Sequence, residues 1–201
     1  MKFILKLILL LIFLAAAAWA VAFSGLYNVA ATKRHWALTE KFLLFAMDRS
    51  VDHHAEGIAA PANLEDTAVI RKGFQHFEEM CVQCHGAPGV RRSEMAEGLY
   101  PRAPKLLWAA KEDSPGELYW ITKNGIKMSG MPAFGPTHTD EEIWALVAFV
   151  KKLPSLDSAS YAGLQDKWCD REEGGGMDLQ CHRMKLDCER QSDGAEHHVN
   201  P

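Results

Sequence analysis

Cys81-Val82-Gln83-Cys84-His85 decides how the rest of the chain is read. Its two thiols fall on one helical turn, where each can form a thioether to a haem vinyl group. The adjacent His85 then offers a ring nitrogen to iron. The same C-x-x-C spacing in a redox disulfide calls for a thioredoxin-like βαβ setting, and no such pattern surrounds it. The remaining alternative, a chance occurrence without a cofactor, loses ground to three features of the flanking sequence. A single C-x-x-C-H is present, so one covalent haem c is expected.

Upstream, residues 66–80 place Val69, Ile70, Phe74 and Phe77 at helical spacing. Gly73, Phe77 and Cys81 recur four apart, on one predicted stripe, with the glycine permitting close approach of another helix. Downstream, Gly130-Met131-Pro132-Ala133-Phe134-Gly135 is a loop by composition and carries a methionine suited to a second axial position. His/Met ligation raises the potential of c-type haems. Met128 competes, but Pro132 and the flanking glycines favour Met131, in an extended strap. The expected metal ligands are therefore His85 and Met131. Further on, Thr139-Asp140-Glu141-Glu142 reads as a capping box opening a helix with Ile143, Trp144, Val147, Phe149 and Val150 apolar. Pro154 stops it. Trp144 is the residue expected to pack against Gly73 and Phe77.

With these residues in view, 66–153 resembles a class I cytochrome c domain. More narrowly, the stretches 25–32, 50–51 and 127–135 are similar to membrane-anchored periplasmic monohaem cytochromes c of proteobacteria. The resemblance implies an all-α, class I cytochrome c fold, with three core helices around one covalent haem and an N-terminal transmembrane helix. It also implies that a proline carbonyl accepts the haem histidine's Nδ1–H, a bond that fixes the ring and raises its basicity. Pro104, in Ala103-Pro104-Lys105-Leu106, is the choice for that role, with Leu106 against the porphyrin; Pro101 and Pro88 stay open.

The 201 residues allow one modest domain plus appendages. Residues 1–32 read as a signal-anchor. Lys2 and Lys6 precede an apolar run from Leu7 to Phe23, just long enough to span a bilayer. Cleavage after a small-residue site such as Ala18-Trp19-Ala20 is the alternative. Either way the domain is exported, and the expected location is single-pass in the bacterial inner membrane with the haem domain in the periplasm. Residues 33–65 form an amphipathic helix (36–54), which could lie along the membrane surface or pack on the haem domain and is expected to hold the domain near the bilayer, and a linker. His53-His54 at the helix end are read as solvated, with metal binding as the alternative. Ser114-Pro115-Gly116-Glu117 opens a middle helix ended by Asn124-Gly125, with Leu118, Trp120 and Ile121 inward. Arg91, Arg92, Arg102 and Lys105 are solvated charges or partners for haem propionates. The tail, 154–201, is expected to be largely disordered: the pattern decays past Leu153, with one short helix open around Tyr161, and from Asp166 it lacks apolar period, yet it contains Cys169, Cys181, Cys188, His182, His197 and His198. These could form a disulfide or bind a metal, although their spacing matches no zinc framework.

The net charge of −4 and the lack of a basic stripe argue against nucleic acid as partner. An iron held by His85 and Met131 has no open position, so the expected function is single-electron transfer in a membrane respiratory chain, without catalytic residues. Partners are then redox proteins: a quinol-oxidising complex, a terminal oxidase or a periplasmic reductase. The alternatives are a haem-c subunit of a larger membrane oxidoreductase, or an open-site haem sensor or peroxidase. For the last, only the lone His138 offers distal chemistry.

Overall fold

The computed structural model describes residues 2–169. Cys181, Cys188, His182, His197 and His198, and the side chain of Cys169, lie outside them. The described chain is helical, with one isolated antiparallel bridge between Ala87 and Val90. It divides into two units, 1–35 and from Trp36 onward.

The first unit is dominated by α1 (Lys2–Ser24), which is apolar all round and buries no residue. Its 23 residues are long and apolar enough to cross a membrane. At about 1.5 Å per residue they match a hydrocarbon core of roughly 30 Å.

The second unit begins with α2 (Ala37–Ala55), followed by α3 (Thr67–His76). Helix α3 continues through a π turn (Phe77–Cys81) into α4 (Val82–His85), then come the short α5 (Glu94–Glu97) and α6 (Leu106–Glu112). Helices α7 (Pro115–Asn124) and α8 (Asp140–Lys152) follow, and a 3-10 turn (Leu153–Ser155) leads to α9 (Ser158–Cys169). The capping boxes expected at Ser114/Glu117 and Thr139/Glu142 both form, each satisfying two otherwise unpaired N–H groups at a helix start.

The core is the crossing of α3 and α8. A Cβ on Gly73 would lie 1.8 Å from the Ala145 carbonyl oxygen, so only glycine admits this approach. On either side Phe74 and Phe77 set their rings 5.2 and 5.0 Å from that of Phe149, and all three are fully buried. What faces Gly73 is thus the Ala145 backbone. Trp144, one residue away, points elsewhere and stacks on Tyr119 of α7 at 4.3 Å. In α7 the inward aromatic is Tyr119 and not Trp120, whose ring lies 5.4 Å from that of His54 on α2. Gly116 permits the α2–α7 contact, since a Cβ there would meet the Ile58 carbonyl at 2.6 Å.

The packed unit also runs past residue 153. In α9, Tyr161 is fully buried and its hydroxyl donates to the Glu78 carboxylate, while Gln165 Nε2 donates to the other oxygen at 3.1 Å. Glu78 is the one buried charged residue among those described, and it belongs to the π turn. Burial pushes its pKa above the ordinary glutamate value, and the two hydrogen bonds pull partly back.

Gly73→Ala should lower unfolding free energy by about 2–3 kcal/mol through overpacking of the crossing. Gly163→Ala, where a Cβ meets nothing within 4 Å, should be neutral or stabilising by about 0.5–1 kcal/mol. Denaturant titration of the haem-loaded protein checks both. Glu78 binds its proton more tightly folded than unfolded. Its contribution is therefore full below the ordinary glutamate pKa and is lost as pH rises through the raised folded value. Compared with Glu78→Gln, the wild type should lose melting temperature over that rise, and a flat difference would contradict the buried site.

Candidate haem site

The π turn sets where the two cysteines emerge. Val82 N–H reaches back to the Phe77 carbonyl, one residue further than in an α-helix. Cys81, the last residue of that turn, stays buried in the same core cluster as Phe77. Cys81 is buried and Cys84 half-buried. Their surroundings are helical and not the βαβ setting that a thioredoxin-like site requires, so the disulfide-exchange reading is set aside.

His85 closes α4, and Gly86, at φ +68°, turns the chain away. The imidazole Nδ1 lies 2.8 Å from the Pro104 carbonyl oxygen. A carbonyl only accepts, so Nδ1 carries the proton and Nε2 keeps its lone pair. Burial lowers the His85 pKa, and the Pro104 bond opposes it. The ring is thus neutral, fixed in one tautomer and ready to ligate through Nε2. Pro101 and Pro88 do not make this contact. Two residues beyond Pro104, Leu106 is half-buried against the core at the start of α6.

The methionine loop is tied to the end of α7. Phe134 N–H donates to the Thr122 carbonyl at 3.1 Å and Gly135 N–H to the Lys123 carbonyl at 2.9 Å. Gly125, at φ +66°, lies so close that a Cβ would meet the Met131 carbonyl at 2.9 Å and Ala133 N at 2.7 Å. Ser129 shapes the turn itself: its hydroxyl donates to the Ile126 carbonyl at 2.7 Å and accepts from Met131 N–H at 3.1 Å. This frame holds Met131 half-buried, whereas Met128 is 81 % exposed and adopts φ +58°. Thr122 carries no sequence signal for this role, Gly125 reads in the sequence as a helix end only, and Ser129-Gly130 is a turn signal.

The remaining candidates separate clearly. Arg92 is half-buried, and its Nη1 is buried without a hydrogen-bond partner. A buried guanidinium nitrogen left unpaired is costly, and an anionic group against it would satisfy it. Haem carries two carboxylates, so the residues present fit this prosthetic group. Arg102 instead pairs with Glu97, and Lys105 and Arg91 are exposed. His138 is half-buried, its ring packing on Phe134 at 5.5 Å and on His76 at 5.6 Å. His54 Nδ1 donates to the Ser50 carbonyl at 2.8 Å. Among the described residues, no group of three or more His, Cys, Asp or Glu side chains gathers to hold a separate metal ion.

Residues 68–150 match the family model described as cytochrome c oxidase, cbb3-type, subunit III. They are a class I c-type cytochrome domain. The match spans α3 to α8, from the helix crossing through C-x-x-C-H to the methionine loop. Such a domain carries covalent haem c and serves haem-based electron transfer, either as a carrier or as a subunit of a redox enzyme. No curated protein and no solved structure matches the chain.

Proposed function

We propose that the chain is a membrane-anchored monohaem cytochrome c that passes single electrons in a bacterial respiratory chain, its iron ligated by His85 and Met131. The observation that carries this reading is the pairing of a tautomer-locked His85 with a methionine loop fastened to α7. Haem c, when bound, supplies a one-electron Fe(III)/Fe(II) couple. Cys81 and Cys84 would hold it through thioethers, His85 Nε2 and the Met131 sulfur would bind its iron, and Arg92 would meet a propionate. Leu106 would lie against the porphyrin. Both ligands sit on backbone that is hydrogen-bonded elsewhere, so they need move little when the charge on iron changes. Small ligand movement keeps electron exchange fast, and a filled coordination sphere excludes substrate binding.

Helix α1 would hold the domain at the periplasmic face of the inner membrane, where quinol-oxidising complexes and terminal oxidases are within reach. The family match favours a second form of the same reading, a haem-c subunit resident in a membrane oxidase. Co-purification with haem–copper partners after mild detergent extraction separates a resident subunit from a mobile carrier.

Met131→Ala should remove the weak far-red methionine–iron band of the oxidised protein and lower the reduction potential. Met128→Ala should leave both nearly unchanged. The reverse outcome would assign the axial position to Met128.

A further inference from the structure

Helix α2 is half docked and half bare. Its C-terminal half belongs to the domain: Val51 and Ala55 are buried, His54 packs on Trp120, and Gly116 of α7 lies against the Ala55 and Ile58 carbonyls. In the N-terminal half, Leu38, Phe42 and Phe45 recur at i, i+4 and i+7 and so form one stripe. They are 81 %, 66 % and 63 % exposed, and Trp36 just before the helix is 74 % exposed. Leu43 and Leu44 are exposed beside them. Among the described residues of the domain, none covers Leu38, Phe42 and Phe45.

The bare half is the half next to the anchor. Twelve residues, 25–36, separate the end of α1 from the start of α2, a span of at most about 40 Å even when fully extended. Charge is graded the same way. Lys33, Arg34 and Lys41 surround the bare end with Glu40 as the only acid, whereas Asp48 and Asp52 lie toward the docked end with Arg49. An apolar stripe led by tryptophan and flanked by cations is the pattern of a helix lying in a bilayer interface, with rings at the headgroup boundary and cations near lipid phosphates.

We infer that the N-terminal half of α2 is a second membrane contact: Trp36, Leu38, Phe42 and Phe45 insert into the lipid headgroup–acyl boundary. This rests on the reading of α1 as a membrane span. Two points of attachment restrict how the haem domain can turn above the bilayer, which a single flexible tether does not. The haem would then face membrane-bound partners within a limited range of orientations.

The test uses the full-length, haem-loaded protein in membranes of the cells that express it. The photoreactive residue p-benzoylphenylalanine replaces Phe42 or Phe45, with Phe13 in α1 as positive control and the exposed Trp108 of α6 as negative control. After irradiation, mass spectrometry distinguishes phospholipid from protein adducts. The inference expects phospholipid adducts at 42 and 45 within a few-fold of the yield at 13, and background at 108. Lipid adducts at 13 without any at 42 and 45 would overturn it and leave the anchor standing. Protein adducts at 42 and 45 in place of lipid would also overturn it, and would make this face a site for a protein partner. A lack of lipid adducts at 13 as well would bring down the anchor reading and this inference together.

Discussion

The contact between Gly73 and the Ala145 carbonyl is the constraint on which the domain depends. Backbone meets side-chain-free backbone there, and α3 and α8 close to a distance that no other residue at 73 allows. The crossing brings Phe74 and Phe77 onto Phe149 and fixes the direction in which α3 leaves the core. The π turn comes next, then the two cysteines and His85. An error of a few tenths of an ångström at the crossing would pass along a stiff helix to the His85 imidazole. Close-packed interiors transmit strain in this way.

Around that crossing, the site is assembled from loops that gain precision by hydrogen bonding to helix ends. Pro104 holds the His85 ring, the last carbonyls of α7 hold the methionine strap, and Lys151 of α8 donates to the Ala110 and Asp113 carbonyls at the end of α6. Each bond answers an otherwise unpaired group at a helix terminus or in a loop. Glu78 extends the same logic into the core. It joins the π turn to α9 through Tyr161 and Gln165, so the helix beyond the cytochrome match is part of the support for the C-x-x-C-H segment.

Much of this was legible in the sequence where a motif carries its own chemistry. The C-x-x-C-H stretch, the capping boxes at Ser114 and Thr139 and the glycine at 73 act through a few adjacent atoms, and the structure arranges them as their residue types require. The proline at 104 was picked out through family resemblance and makes the hydrogen bond expected of it. Other features depend on distant partners and leave no periodic trace. The π turn interrupts the α-helical hydrogen-bond spacing without any glycine or proline to announce it. The sequence offers Trp144 as the partner of Gly73 and Phe77, but the Ala145 backbone fills the place against Gly73 and the Trp144 ring stacks on Tyr119. Tyr161 looked like part of a decaying tail because its partner, Glu78, lies eighty-three residues earlier.

The central claim is that His85 and Met131 close the iron to outside ligands. Its most direct test is the absorption spectrum of the reduced, haem-loaded protein before and after carbon monoxide is added. The account predicts a low-spin c-type spectrum that carbon monoxide leaves unmoved. A high-spin spectrum, or one that shifts with the gas at micromolar protein, would mean an open coordination position and would contradict it.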